Sequence, residues 1–264
     1  MQDRSAEGQK MPVLFVGHGS PENAALDNEY SQTWKAIGQK LPKPKAILCV
    51  SAHWLTMGTA VTAMEKPRTI HDFYGFPPAL YRIMYPAPGS PQLAQRVLSL
   101  IKTVKPQADS EWGLDHGTWS VLKHMFPKAD VPVLQLSIDY QLPLARHHQI
   151  GTELAALRKE GVLILGSGNL VHNLSMMRMG SKPFPWAVEF DEKVKADLSR
   201  GDAEALIHFQ RYPDADLALP TYEHYLPLLY ALGAAGKEKP QFFCESIFAS
   251  SVSMRGVAYG MDSL

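Results

Sequence analysis

The segment MPVLFVGHGSP, residues 11–21, is a run of apolar residues that stops at a histidine between two glycines. The same order, an apolar run followed by a histidine, recurs in AILCVSAHW, residues 46–54, and in GVLILGSGNLVHN, residues 161–173. Apolar runs of about five residues that are bounded by glycine, proline or polar clusters are typical of buried strands. Three such runs that each lead to a histidine indicate both the fold and the place of a functional site.

The predicted strands alternate with helix-like segments along the chain. The strands are predicted over residues 13–16, 46–50, 131–138 and 162–165, with further strand candidates over 60–64 and 241–260. The helices are predicted over residues 29–38, 90–101, 119–125, 144–158 and 223–235, the last of them apolar almost all round. This alternation predicts an α/β fold with a central, largely parallel or mixed sheet flanked by helices. We predict a disordered lead over residues 1–10 and one catalytic domain over residues 11–264.

The composition is that of an ordinary globular protein with balanced charge. Its 264 residues include 26 basic and 26 acidic side chains, so the formal net charge is zero. This balance argues against nucleic acid or an anionic membrane surface as a partner. No apolar run approaches the ~20 residues of a membrane-spanning helix, and the polar amino terminus lacks the apolar region of a signal peptide. We expect a cytoplasmic monomer or homodimer in which Cys49 and Cys244 are reduced thiols.

Three of the histidines are predicted to meet at one edge of the sheet. His18, His53 and His172 follow apolar strand runs, and the functional crevice of an open α/β sheet lies at the carboxyl ends of its strands. Burying several imidazoles together is costly unless they share a ligand. Neutral imidazole suits zinc, iron, copper and nickel, and a catalytic metal keeps an open position beside about three protein ligands. Glu223 and His224, at the start of the last predicted helix, are further candidates.

The remaining histidines fall in other contexts. His116, in GLDHGTW, and His71, in IHDFYGFP, lie in loops, where a structural hydrogen bond and a substrate contact are both open. The second motif belongs to a long segment rich in proline, glycine and aromatic residues, 65–91, which is typical of a lid or binding loop. His124 is predicted to be structural. A solvated helix face is predicted for three histidines: His147, His148 and His208.

Six motifs in a fixed order carry a family resemblance: GHGSP, SAHW, IHDFYGFP, DHGTW, GSGNLVHN and PTYEHYLPLLYALGA. From about residue 11 to its end, the chain resembles the class III extradiol ring-cleavage dioxygenases, and in particular their 4,5-DOPA extradiol dioxygenase-like branch. The resemblance implies a single α/β domain like the catalytic B subunit of protocatechuate 4,5-dioxygenase. It also implies one mononuclear non-haem iron(II) centre, in which recombinant members often contain zinc(II).

The resemblance also implies roles for individual residues. His18 and His53 match the two histidine ligands of the metal, and His172 matches the histidine usually assigned as acid/base. The third ligand of the best-studied enzymes is a glutamate, whereas here His224 aligns best, with Glu223 beside it. His172 also counts as a possible ligand in this branch, so its role as ligand or base stays open.

The chemistry of the family suggests contacts for the substrate. His116 is expected to donate a hydrogen bond to bound oxygen or to the substrate. The loop residues expected to cover the aromatic ring are His71, Asp72, Phe73 and Tyr74.

The resulting prediction is an extradiol dioxygenase that opens a catechol such as L-DOPA with O2 to a muconate semialdehyde. The first alternative is a zinc-dependent hydrolase or amidase, with metal-bound water as nucleophile and Glu223 or His172 as base. The second is a metal-binding protein without catalytic activity. Dependence of turnover on dioxygen separates the dioxygenase from the hydrolase, and any turnover separates both enzymes from the non-catalytic protein.

Overall fold

The computed structural model of the protein describes residues 10–264. The disordered lead predicted over residues 1–10 therefore lies, apart from Lys10, outside the described residues. The strands are β1 Val13–Gly17, β2 Ala46–Thr56, β3 Ala60–Thr62, β4 Gln107–Asp109, β5 Val133–Asp139, β6 Val162–Gly168, β7 Pro240–Phe243, β8 Ile247–Phe248, β9 Val252–Ser253 and β10 Gly256–Tyr259. The α-helices are α1 Glu29–Lys40, α2 Pro91–Leu100, α3 His116–Met125, α4 Leu144–Leu154, α5 Pro185–Arg200, α6 Ala203–Ile207, α7 Ala215–Ala218 and α8 Leu226–Ala235.

Eight of the strands form one mixed sheet in the order β4-β3-β5-β2-β6-β1-β10-β7. The central pairs β5-β2, β2-β6 and β6-β1 are parallel, whereas β10 joins β1 and β7 in antiparallel fashion. Every residue of β1, β5 and β6 is buried, as expected of parallel strands that are covered on both faces. The prediction of a single α/β domain with a largely parallel or mixed sheet is confirmed.

The two faces of the sheet carry separate apolar cores. Val13 and Phe15 of β1 point to the face covered by α4 and α8, while Leu14 and Val16 point to the face covered by α1 and α3. This division follows from the alternation of side chains along a strand. Helix α8 packs between the sheet and α4, and all ten of its residues are buried, which agrees with its apolar sequence.

Several predicted boundaries were wrong. The strand predicted to end at residue 50 continues to Thr56, so His53 lies inside β2 and not after it. The polar side chains end the apolar run there, but the backbone pairs with β5 again at Leu55 after a shift of register. The last helix begins at Leu226 instead of residue 223, since residues 222–225 form a turn closed by a bond from Tyr225 N to Tyr222 O.

Some elements have no counterpart among the predictions, or differ in type from them. Strand β4 and helices α5, α6 and α7 were not predicted, because their sequences lack a long apolar run. The helix predicted over 144–158 changes at Ala155 to a 3-10 helix. Cys49 and Cys244 are free thiols. Within residues 10–264, no helix has both the length and the apolar character required to cross a bilayer.

The prediction of a solvated face was wrong for His147. This side chain of α4 is buried, and its Nδ1 lies 2.9 Å from the hydroxyl of Tyr230 on α8. Helix α4 is covered by α8, so the polar neighbours of His147 in the sequence do not indicate exposure. Burial lowers the pKa of His147 to about 4.

We expect His147 to make stability depend on pH. Because its folded pKa lies below the unfolded value, this histidine costs no stability above about pH 6.5, and stability is lost as the pH falls through the range from 6.5 to 4. At pH 5 the loss amounts to about 2 kcal/mol. Urea unfolding of the wild type and of His147→Gln at pH 7.5 and pH 5 measures it. If His147→Gln loses as much free energy of unfolding between pH 7.5 and pH 5 as the wild type does, His147 is not the group responsible.

Candidate metal and active site

A cavity of about 540 Å³ opens at the carboxyl ends of the parallel strands. Five histidines line it: His18, His53, His116, His172 and His224. They come from five different segments: the end of β1, the interior of β2, the start of α3, the loop after β6 and the turn before α8. The convergence predicted for His18, His53 and His172 is thus present in the structure, together with two more imidazoles.

His18 is held at the end of β1 by backbone and side-chain bonds. Its N–H donates to Gly168 O at 3.1 Å, and its Nδ1 lies 3.0 Å from the Ser167 hydroxyl on β6. The glycine before it is required by space, because a Cβ on Gly17 would lie 2.7 Å from the carbonyl carbon of Met254. Gly19 has a φ of 60°, a left-handed conformation that favours glycine. The glycines of GHGSP therefore allow close packing and a sharp turn around the imidazole.

His18, His53 and His224 place ring nitrogens close together in the cavity. One nitrogen from each lies within 4.8 Å of the others, and His18 Nε2 is 3.0 Å from His53 Nε2. Facing imidazole nitrogens with no acid between them form a donor set that suits a borderline transition metal such as zinc or iron. These three residues can therefore hold one metal ion.

His224 is held by a backbone hydrogen bond to the segment that follows β6 and by stacking against His172. Asn169 N donates to His224 O at 2.8 Å, and the rings of His172 and His224 are stacked with centroids 3.4 Å apart. Glu223 Oε1 lies 3.2 Å from His224 Nδ1. His172, Glu223 and His224 form a second group with metal-ligand spacing, so the geometry leaves the choice of third ligand open.

His116 and Asp72 form a third part of the site. Asp72 Oδ2 lies 2.9 Å from His116 Nδ1, and Asp72 Oδ1 accepts a hydrogen bond from His116 N at 2.8 Å. The same Oδ2 is 3.4 Å from His53 Nδ1. These three residues also have metal-ligand spacing. His116 is the first residue of α3, and its neighbour Asp115 caps that helix through a bond from Thr118 N.

Burial keeps most of these imidazoles neutral. Desolvation, followed by the charges of neighbouring histidines, lowers the pKa of His18 and of His224 well below the ordinary value. Burial lowers the pKa of His53 to about 3 and that of His172 to about 4. At pH 7 the four rings are therefore uncharged and have lone pairs available for a metal or a proton. For Asp72, burial raises the pKa, but the hydrogen bonds and charge of His116 outweigh it, so the net shift is downward.

Of the four residues predicted to cover the substrate, three line the cavity and one does not. Asp72, Phe73 and Tyr74 line the cavity, and Tyr74 is 92% exposed at its mouth. His71 does not line it, and its Nε2 lies 2.9 Å from the carbonyl oxygen of Ile83.

Sequence reasoning found one part of the apolar wall of the cavity and missed the rest. Phe76 belongs to the segment 65–91 that was predicted to be a binding loop, whereas Leu174, Met177 and Phe248 were not singled out. Isolated apolar residues in loops and very short elements carry no signal that would have marked them. Ser167, which contacts His18, was also not singled out, although it stands in the GSGNLVHN motif.

We expect Gly168→Ala to disturb the site through His224. The added Cβ would lie 2.0 Å from His224 O, so the backbone of the turn must move, at a cost of about 1–3 kcal/mol in stability. Gly166→Ala is the matched control, because its Cβ would meet a carbonyl oxygen of α8 instead, that of Pro227, at 2.5 Å. Thermal unfolding should show losses in both variants, but zinc titration should show weaker binding only in Gly168→Ala. Equal zinc affinity in the two variants contradicts the prediction.

Comparison with known proteins gives consistent matches over nearly the whole chain. Residues 12–259 match the family described as the catalytic LigB subunit of aromatic ring-opening dioxygenase. The chain is 50% identical over 267 residues to the 4,5-DOPA dioxygenase extradiol of Escherichia coli (strain K12), a match that covers 98% of each chain. It is 41% identical over 241 residues to the 4,5-DOPA dioxygenase extradiol of Beta vulgaris, covering 85% of this chain and 87% of that protein.

A solved structure extends this likeness to the fold. The crystal structure of an uncharacterized protein from Escherichia coli K12 matches with a TM-score of 0.83 and 46% sequence identity, covering 95% of this chain and 100% of that one. These matches favour ring cleavage over the hydrolase and the non-catalytic alternative. The resemblance read from the six motifs is confirmed, and the chain belongs to the LigB family of aromatic ring-opening dioxygenases as an enzyme of the extradiol type.

Proposed function

We propose that the protein opens the aromatic ring of a catechol such as L-DOPA with dioxygen, beside the two hydroxyl groups, to give a muconate semialdehyde. The observation that carries this proposal is that His18, His53 and His224 each place one ring nitrogen within 4.8 Å of the other two, in one cavity. The choice of L-DOPA rests on the names of the relatives from Escherichia coli and Beta vulgaris.

The active metal in this proposal is iron(II), held by His18, His53 and His224, although zinc is expected to occupy the same nitrogens in recombinant protein. Iron(II) held there would supply open coordination positions for a catechol and for O2, whereas zinc would lack the redox chemistry for this reaction. The protein contributes neutral ligands, because burial lowers the pKa of each of these histidines.

His172 and His116 are the proposed proton-handling groups. Both rings line the cavity beside the three ligands. His172 is neutral at pH 7, so it can take the proton of a catechol hydroxyl and return it later in the reaction. His116 lies on the other side of His53 at a ring-centroid distance of 3.9 Å. Its Nδ1 faces Asp72, so its Nε2 can accept a hydrogen bond from the substrate and, once it has taken up a proton, donate one to oxygen.

The wall of the cavity suits an aromatic substrate. Phe73 and Phe76 stand on one side, with ring centroids 5.4 Å apart, while Leu174, Met177 and Phe248 belong to segments on the other. An apolar enclosure of this kind binds an aromatic ring by burial and keeps water away from the reacting atoms. The polar groups gather at the histidine end, which orients the diol toward the proposed metal.

Anaerobic loading of metal-free protein with iron(II), followed by a panel of catechols that includes L-DOPA, tests the proposal. We expect one O2 consumed per catechol, with the visible absorbance of a ring-opened semialdehyde. Protein loaded with zinc is the control and should consume no oxygen. Turnover without oxygen would support the hydrolase instead. A fully loaded iron site that consumes no oxygen with any catechol would support the non-catalytic protein.

A further inference from the structure

Asp72 occupies a fixed position although it lies on the long loop between β3 and α2. The residues just before it pair with the segment that leads into α3, through a bond from Ile70 N to Leu114 O at 2.7 Å. Trp119 of α3 also donates from Nε1 to Ile70 O at 2.8 Å. The loop and the start of α3 therefore form one unit, and this unit sets the distance between Asp72 and His116.

The carboxylate of Asp72 contacts His116 twice and His53 once. Oδ1 accepts from the backbone N–H of His116, Oδ2 lies 2.9 Å from its Nδ1, and the same Oδ2 is 3.4 Å from His53 Nδ1. An ionised carboxylate only accepts hydrogen bonds, so His116 Nδ1, at 2.9 Å, must carry a proton, which leaves Nε2 as the other nitrogen of this ring.

For His53 the longer contact with Asp72 does not fix a proton on Nδ1 in the metal-free protein, because its Nε2 lies 3.0 Å from His18 Nε2 and one of these two nitrogens must carry a proton. The Ser167 hydroxyl donates to Gly117 O and accepts from His18 Nδ1, so the proton between the two rings belongs to His53 Nε2.

We propose that Asp72 is a positioning residue that fixes the Nδ1–H form of His116, rather than a residue that contacts the substrate. In His116 this leaves Nε2 as the nitrogen available to the cavity. His53 would adopt the same form only when a metal takes its Nε2, and its Nδ1–H would then face Asp72 Oδ2. The inference deepens the proposed function and rests on it for its catalytic consequence, but the protonation pattern itself belongs to the metal-free protein.

An amide cannot replace the carboxylate in this position. Asparagine has one accepting oxygen, whereas Asp72 accepts from His116 N through one oxygen and faces two ring nitrogens with the other. In Asp72→Asn an NH2 group must therefore face either a backbone N–H or a protonated ring nitrogen. The ring of His116 is expected to respond by moving its proton to Nε2, which removes the accepting nitrogen from the cavity.

The first test is a long-range ¹H–¹⁵N NMR spectrum of the histidine rings in metal-free protein, with His116 identified through His116→Gln. We expect His116 in the Nδ1–H form in the wild type and in the Nε2–H form in Asp72→Asn. The matched control is Asp109→Asn, which changes a carboxylate that accepts from Glu111 N and Trp112 N away from the cavity. Its spectrum should match that of the wild type.

The second test measures iron(II) affinity and steady-state kinetics of the full-length variants. Loss of a carboxylate partner behind a metal-binding histidine typically weakens affinity or activity about 10- to 100-fold. We expect Asp72→Asn to lose kcat by such a factor, with a KM within about threefold of that of the wild type. Asp72→Glu keeps the charge and should recover part of kcat. This variant also keeps the test valid if Asp72→Asn folds poorly.

Different outcomes separate the possible roles of Asp72. An unchanged His116 spectrum in Asp72→Asn overturns the positioning role, whether or not the enzyme cleaves catechols. A large rise in KM with unchanged kcat assigns Asp72 to substrate binding and overturns it as well. Two equivalents of bound metal in the wild type, falling to one in Asp72→Asn, would show that His53, Asp72 and His116 hold a metal of their own. If no catechol is cleaved but the NMR shift occurs, the proposed function fails and the positioning role stands.

Discussion

Replacing His18 or His53 by alanine will abolish metal binding and ring cleavage together. The two Nε2 atoms lie 3.0 Å apart, so the loss of either ring opens one side of the proposed centre and leaves two histidine ligands. Replacement of a partner behind a ligand already weakens metal sites about 10- to 100-fold, and loss of the ligand itself should exceed that range. Metal content after loading with one equivalent of iron(II) or zinc, and oxygen uptake with L-DOPA, measure the two effects.

His208→Ala is the control for these variants. That histidine lies after α6, outside the cavity, where its Nε2 is 2.9 Å from Glu204. The control should bind one metal ion and turn over like the wild type. Stoichiometric metal in both His18→Ala and His53→Ala would exclude the proposed centre, because metal binding would then require neither ring.

The second large effect concerns His172 and His224, whose stacked rings lie 3.4 Å apart at their centroids. We expect His224→Ala to lose the metal, since its ring nitrogen belongs to the group formed with His18 and His53. We expect His172→Ala to keep the metal but to lose about 10²- to 10⁴-fold in kcat, the usual contribution of a general base. Metal analysis and single-turnover kinetics of the two variants decide between the roles.

The reverse pattern would reassign the pair. If His172→Ala loses the metal and His224→Ala keeps it, then His172 and not His224 is the ligand from the group of His172, Glu223 and His224. In that case Glu223→Gln becomes the informative variant. Loss of metal in Glu223→Gln would make the carboxylate a ligand, as in the best-studied members of the family.

The central sheet could be predicted from the sequence because apolar runs report burial directly. Strands β1, β5 and β6 are buried at every position, and β1 and β6 each begin with four consecutive apolar residues. Strand β2 could be predicted only to Val50, since its last six residues mix polar and apolar side chains and only Leu55 and Thr56 among them pair with β5, in a shifted register. Helix α5 was not predicted because charged residues interrupt the apolar positions of its sixteen residues. Only the helical spacing of those apolar residues indicates a helix there.

The site could be predicted in part, for a similar reason. His18, His53 and His172 follow or interrupt strand-like runs, so the topology of a parallel sheet brings them to one edge. The bond between Asp72 and His116 joins residues 44 positions apart through a loop, and no local pattern encodes it. The burial of His147 against Tyr230 likewise depends on which helix covers α4, which is a property of the whole fold.

The cavity joins two kinds of structure, and this division has a consequence for engineering. The histidines sit at strand ends and in turns locked by backbone contacts, such as the approach of Gly168 to His224. The mouth is formed by side chains that are exposed on loops and short turns, including Tyr74 and Leu174. Exposed loop residues generally tolerate substitution better than buried strand ends do. Directed evolution aimed at new aromatic compounds should therefore randomise the mouth and leave the strand ends intact as a reusable reaction centre.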